Sequence, residues 1–378
     1  MIYLDSAATT LQKPPAVAAA VRRAIETMAS PGRGGHRPAM LAAETVFHCR
    51  ELAAELFDVG EPERVVFTCN ATHGLNIAIH SLVKPGGTAL ISGYEHNAVT
   101  RTLKNIDGLT LKVADAPLFR PVELLEQFEK LLTAEVDAVI CTHVSNVFGY
   151  ELPVEELAEL CARREKPLII DASQSAGSHK IRLDDWGAAF IAMPGHKGLY
   201  GPQGTGILLC GKDVTTSTVL CGGTGSASAL WQMPDFLPDR LEAGTHNVCG
   251  IAGLAEGLNF VKRRGSGCIL SHEKKLIAQL ARGLKNSPDV QQFYSPKCLN
   301  QSGVLSFRTA KMDCEELAEL LGKHGIAVRA GLHCAPLAHN VAGTAATGTV
   351  RASVSAFNHA QEIDQFLVHL SQILSKKP

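Results

Sequence analysis

Charged side chains are scarce and evenly divided by sign. Asp, Glu, Lys and Arg make up 19% of the 378 residues, and 36 basic against 37 acidic groups leave a formal net charge of −1. A chain so balanced has no electrostatic footprint for nucleic acid or an anionic membrane surface, which excludes both as partners. The basic clusters Lys262-Arg263-Arg264 and Lys274-Lys275 are short and read as solvated helix faces. Apolar runs of about 20 residues, the length a membrane span needs, are missing. The opening MIYLDSAATT lacks the basic-then-apolar layout of a secretory signal. A cytoplasmic protein is the expectation. C-x-x-C spacing is absent too: the eleven cysteines are odd in number and scattered, which argues against a disulfide framework and a zinc knuckle. Most are expected as small buried apolar residues, with one or two left for chemistry. No metal site is expected. Repeats and low-complexity segments are likewise missing, and the glycine-rich stretches 30–35 and 222–225 are loops too short to link domains.

What the chain has is apolar mass, 46% of its residues, enough for one large core and a smaller one. From about residue 65 to 260, short apolar runs alternate with longer helical patterns. The runs at 65–68, 88–92, 139–144, 168–171, 190–193 and 206–209 predict strands. Between them lie amphipathic stretches such as 154–164, with Leu157, Leu160 and Cys161 on one face. The alternation predicts an α/β fold whose mostly parallel sheet is flanked by helices. Past residue 260 the pattern becomes α+β: helix 270–284, strand 304–308, helix 313–323, strands near 327–329 and 349–354, and a closing helix 360–374. A large domain over 15–260 and a smaller α+β domain formed by 1–14 and 261–378 follow. The first strand and the helix 15–28 pack with the small domain or bridge the two.

In parallel sheets ligands sit at the carboxyl ends of strands. There the apolar run Leu168-Ile169-Ile170 ends in Asp171, and the next ends in Gly195-His196-Lys197-Gly198. A pocketed lysine loses its proton more readily than a surface one, as a Schiff-base nucleophile must. An arbitrary lysine is a solvated loop residue, but HKGLYGPQGTG between two apolar runs is not an arbitrary setting. A carboxylate ending a buried strand is costly unless paired, and a protonated pyridine nitrogen is such a partner. Asp171 as a mere helix N-cap explains neither Gln174 nor the lysine turn. The pair points to pyridoxal 5′-phosphate. Cys69-Asn70-Ala71-Thr72-His73-Gly74, between a strand and a helix, offers amides for a phosphate. His96 follows another strand end and could lie flat on an aromatic ring, although an isolated histidine is more often structural.

The chain resembles the class V branch of the fold-type I pyridoxal-phosphate-dependent transferases, and within it the cysteine desulfurases and selenocysteine lyases. Nine motifs in family order carry the resemblance over nearly the whole length: YLDSAATTLQKP at 3–14, NATHGLN at 70–76, YEHNA at 94–98, HVSNVFG at 143–149, IIDASQSAG at 169–177, GHKGLYGPQGTG at 195–206, LEAGTHN at 241–247, VRAGLHCAP at 328–336 and VRASVSAFN at 350–358. It implies a seven-stranded sheet in the large domain. It also implies that Lys197 carries the cofactor and moves the substrate's Cα proton. Asp171 would face the pyridine nitrogen, Gln174 the phenolic oxygen, and His96 the ring. Ala71, Thr72 and His196 would hold the phosphate with Thr245 from the second subunit of a homodimer. Asn146 and Arg351 would bind the substrate carboxylate, a planar fork suiting a carboxylate bidentately, with Arg329 beside them.

Cys334 separates the subfamilies. In a desulfurase an enzyme thiolate attacks the sulfur of L-cysteine, giving a persulfide and L-alanine, and a thiolate wants cationic neighbours. Arg329 and His333 stand near enough in sequence to supply them. Pro194 replaces a hydroxyl residue common in relatives, and His73 stands where an acid is frequent. The short stretch from Cys334 to Arg351 lacks the long cysteine loop of the first desulfurase group and points to the second, in which sulfur passes to a docking acceptor protein, as iron–sulfur cluster biogenesis requires. The reading is a cysteine desulfurase. Selenocysteine lyase (taking L-selenocysteine at the same site with less need of Cys334), another aminotransferase or lyase on this scaffold, and an idle cluster-assembly partner are the alternatives. Retention of Lys197, Asp171, Cys334 and Arg351 together speaks against the last.

Overall fold

A computed structural model describes residues 1–32 and 34–375; Arg33, in the first glycine-rich stretch, lies outside the described residues. The chain begins with a short strand, β1 (Ile2–Tyr3). Seven further strands build one sheet: β2 (Val65–Thr68), β3 (Thr88–Ser92), β4 (Thr110–Ala114), β5 (Ala138–Thr142), β6 (Leu168–Asp171), β7 (Phe190–Pro194) and β8 (Gly206–Cys210). Their order is β2-β8-β7-β6-β5-β3-β4, and β8 alone runs against the rest. Six of these strands coincide with the apolar runs, because a strand covered on both faces is apolar throughout. The seventh strand, β4, escapes that pattern. It is an edge strand with Lys112 at its centre and partial exposure along most of its length, and charge is how edges resist further pairing.

Alternate residues of the sheet feed two cores. Leu168 and Ile170 face one cluster, beneath helices Arg37–Leu56, Val154–Arg163 and Val248–Arg264, while Ile169 faces another under Ala71–Leu82 and Asn97–Lys104. Helix Pro15–Thr27 packs on Val248–Arg264.

The C-terminal part holds β9 (Val290–Phe293), β10 (Val304–Thr309), β11 (Ile326–Ala327), β12 (Arg329–Gly331) and β13 (Thr349–Ser353). The antiparallel order is β12-β13-β10-β9, while β11 pairs in parallel with β1. The strand expected near 327–329 is thus two strands in two sheets, broken at Val328. Helices Ser266–Leu284, Cys314–Lys323 and Ala360–Ser375 enclose a separate apolar cluster. All eleven cysteines are free. Five are buried (Cys49, Cys141, Cys161, Cys210 and Cys314), so the expectation that most are buried fails. Lys274 is not simply solvated but pairs with Glu151 at 2.8 Å. Among the described residues no helix is long and apolar enough to cross a membrane, and none form a metal-ligand cluster.

Candidate active site

Because only β8 is reversed, the carboxyl ends of β2, β3, β5, β6 and β7 open on one side of the sheet. A cavity of about 390 Å³ lies there. Ala71 and Thr72 enter it after β2, His96 after β3, Asn146 after β5, Asp171 and Gln174 after β6, and His196 and Lys197 after β7. The opposite wall comes from the other end of the chain, with Arg329, Cys334 and Arg351.

Lys197 is half-buried and lines the cavity, and its Nζ donates no hydrogen bond among the described residues. Burial pulls its pKa down to about 8, against the opposing pull of Asp171. The turn that presents it is seated by close backbone approach. Gly177 has φ +95°, and a Cβ there would strike the carbonyl of Gly198. Gly177→Ala is therefore expected to cost roughly 2–3 kcal/mol and to displace the lysine turn. A thermal midpoint equal to the parent's would show that this approach carries no weight.

Asp171 is buried, and Oδ1 accepts the Ser173 amide at 2.9 Å. Its other oxygen has no protein donor among the described residues, which leaves it for a cationic ring nitrogen. Ala71 and Thr72 open helix Ala71–Leu82, where amides have no intrahelical acceptor. Asn70 caps the His73 amide at 2.9 Å, so the first two remain for an anion. The His196 ring is neutral, its pKa lowered by burial to about 4, and Nδ1 is buried without a partner. His96 caps the next helix, Nδ1 accepting the Ala98 amide at 3.0 Å, which puts the neutral ring's proton on Nε2. Burial keeps that ring neutral. Pro194 brings no hydroxyl to the wall, and the nearby Thr9 hydroxyl is spent on the His196 carbonyl at 3.1 Å. Gln174 Nε2 donates to the Ala7 carbonyl at 2.9 Å. A lysine amine without a hydrogen bond, a carboxylate with one open oxygen, two helix-start amides and a histidine with an unpartnered ring nitrogen belong to residues that line one cavity, and this set fits pyridoxal phosphate.

The far wall is a continuous polar chain. Asn146 Nδ2 donates to the His333 carbonyl at 2.7 Å, and Arg351 NH1 donates to the Asn146 carbonyl at 2.9 Å. Arg351 NH2 then donates to Asp5 Oδ1 at 2.9 Å, while Arg329 takes Oδ2 at 3.1 Å. The exposed Cys334 thiol stands at the cavity rim. Its residue and His333 both adopt positive φ, +56° and +49°, a costly pair for non-glycine residues. The Asn97 amide holds the Cys334 carbonyl at 2.7 Å.

The cationic neighbourhood expected for Cys334 changes here. His333 supplies no cation to Cys334: burial, with Arg351 as a secondary cause, pushes its pKa down to about 3, and the ring stacks on His339 at 5.8 Å. Arg329 is present but its charge is partnered by Asp5. Thr245 does not line this cavity within its own chain. It sits in an adjoining one of about 110 Å³ with Cys69, His73 and His246. Two residues went unread in the sequence. Asp5 lies within a motif that carried the resemblance, and an acid beside an apolar strand was its signal. Glu95, fully buried, accepts from Ser92 Oγ and from the Thr142 amide, and burial raises its pKa to about 8.

The whole chain is similar to known proteins. The family model for aminotransferase class-V matches residues 2–366. A probable cysteine desulfurase of Pyrococcus abyssi is 30% identical, over 99% of this chain and 94% of its own. A cysteine desulfurase of Cronobacter sakazakii is also 30% identical, over 99% and 93%. Among solved structures, the apo cysteine desulfurase of Thermococcus onnurineus superposes with a TM-score of 0.90 at 29% identity, covering 99% of this chain and 95% of that one. The cysteine desulfurase CsdA (S-sulfonic acid) of Escherichia coli gives 0.87 at 25%, covering 100% and 95%.

Proposed function

The chain belongs to the aminotransferase class-V family, and we propose that within it this protein is a cysteine desulfurase that uses pyridoxal 5′-phosphate and receives sulfur on Cys334. One observation carries the assignment of roles: Lys197, Asp171, Arg351 and Cys334, from distant parts of the chain, line a single cavity.

Bound there, pyridoxal phosphate draws electrons from the substrate's Cα and so weakens both the Cα–H and the Cβ–Sγ bonds. Lys197 Nζ would hold the cofactor and, as a free amine, would carry the Cα proton. Asp171 would keep the ring nitrogen protonated, Gln174 would steady the phenolic oxygen, and His96 would cover a ring face. The Ala71 and Thr72 amides and His196 would hold the phosphate, together with Thr245 from a second copy of the chain. Arg351 and Asn146, with Arg329 beside them, seat the carboxylate of L-cysteine and fix which substrate bonds face Lys197. Cys334, as thiolate, attacks the substrate Sγ. The new S–S bond forms as Cβ–Sγ breaks, the bonding pair stays on carbon, and a proton there completes L-alanine. The persulfide at the rim is open to an acceptor protein.

With L-cysteine and a reductant, L-alanine and sulfide are expected in equal amounts. Pyruvate and ammonia in place of L-alanine, with sulfide still released, would instead identify a β-elimination lyase.

Lys197 must be neutral to capture the cofactor, and its pKa is about 8. Uptake of pyridoxal phosphate by cofactor-free protein, followed by absorbance, is expected to quicken about tenfold per pH unit below that value and to level off above it. A rate still climbing at pH 10 would put this amine in bulk water.

A further inference from the structure

β12 and β13 pair in antiparallel register with Arg329 directly opposite Arg351. Opposite residues on neighbouring strands project from the same face a few ångströms apart, so two like charges there repel. Asp5 lies between them. Oδ1 accepts from Arg351 NH2 at 2.9 Å, and Oδ2 accepts from both Nε and NH2 of Arg329 at 3.1 Å.

The carboxylate has little freedom to leave. The Leu4 amide is tied to the Ala327 carbonyl at 2.8 Å and the Ser353 amide to the Leu4 carbonyl at 2.8 Å. The Ala7 amide is held by Ser353 Oγ at 2.9 Å. Asp5 is therefore fixed from both sides, its segment spanning β11 and β13. The two arginines are not equivalent. Arg351 is almost fully enclosed, its Nε buried without a partner, whereas half of the Arg329 side chain is in solvent. Two cations and one fixed anion leave this wall with one unit of positive charge, which matches one incoming carboxylate. Without Asp5 the wall would offer two arginines and suit a ligand with two carboxylates.

We propose that Asp5 is the specificity-determining and positioning residue of the carboxylate subsite: by binding Arg351 and Arg329 at once, it limits the subsite to monocarboxylate amino acids and rejects dicarboxylates. This rests on Arg351 being the carboxylate anchor, as inferred above. Asp5 touches neither substrate nor cofactor in this scheme. It acts through the two guanidinium groups, holding Arg351 in place and keeping Arg329 engaged.

The test titrates the holoenzyme with L-alanine and L-aspartate, reading the absorbance of the bound cofactor, so that turnover is not involved. In the parent, L-alanine is expected to bind more tightly. Asp5→Asn should shift the ratio of the two dissociation constants at least tenfold toward L-aspartate, and Asp5→Glu should restore the parent preference. The double variant Asp5→Asn/Arg329→Gln, back at one unit of positive charge, should do the same. Arg329→Gln alone gives an independent reading should Asp5→Asn fold poorly. Released from Arg329, the whole Asp5 charge falls on Arg351, and L-alanine should bind at least fivefold more weakly. A purely structural Asp5 would change the thermal midpoint and leave these ratios within threefold of the parent, which overturns the proposal. Arg351→Gln separates the two layers. If it leaves L-alanine binding intact, the carboxylate anchor itself is wrong and the proposal goes with it; if it abolishes binding while the Asp5→Asn ratio stays put, only the role of Asp5 is wrong.

Discussion

Lys197→Ala is expected to lose cysteine turnover by on the order of 10³-fold or more, since the proposed roles of covalent anchor and proton carrier both fall on this one side chain. It should also lose its cofactor absorbance after dialysis. Borohydride should fix the cofactor on the parent protein and leave none on the variant. The expectation comes from placement, not from residue type. Lys197 sits where burial lowers its pKa to about 8 and where Asp171 limits that fall, so at neutral pH a usable fraction is uncharged. Amines added from solution should restore part of the proton transfer but not the anchoring. A variant that kept a borohydride-fixed cofactor would move the attachment to another lysine and remove the central assignment.

Cys334→Ala separates sulfur acceptance from the earlier steps. It should keep the parent's colour and its spectral response to L-cysteine, because Lys197, Asp171 and Arg351 are untouched. Sulfide release should fall by about a hundredfold or more, a barrier increase of roughly 2.7 kcal/mol. With L-selenocysteine the loss should be smaller, since selenium leaves without the help of an attacking thiolate. Equal losses for both substrates would place Cys334 outside sulfur chemistry; an undiminished sulfide rate would identify a different acceptor. The structure sharpens the question by removing His333 as a cationic aid, its ring being buried and neutral. Replacing His333 should therefore act on the strained turn that carries the thiol rather than on the thiol's charge.

Much of the large sheet could be read directly because covered strands are apolar on both faces and end abruptly in chemistry. Leu168-Ile169-Ile170-Asp171 is one example, and Phe190–Pro194 leading to His196 and Lys197 is another. β4 could not, since an edge strand carries the charge and exposure that apolar periodicity takes for loop. The break at Val328 was equally hidden: Ile326–Ala327 and Arg329–Gly331 join different sheets, and no local preference records which partner a strand will meet. Thr245, in the adjoining cavity, was assigned by resemblance to a second copy, a placement that no pattern within one chain could supply.

The order of residues determined which groups were available, a lysine in a glycine turn, an aspartate closing an apolar run, a cysteine among glycine, histidine and proline, because strand periodicity and backbone permissiveness are local properties. Only the tertiary structure decided their charges and company. Asp5 meets arginines more than three hundred positions away, and a histidine two places from a glycine turn is stripped of its proton affinity by what packs over it. Register and desolvation depend on the whole fold, so no stretch of sequence contains them.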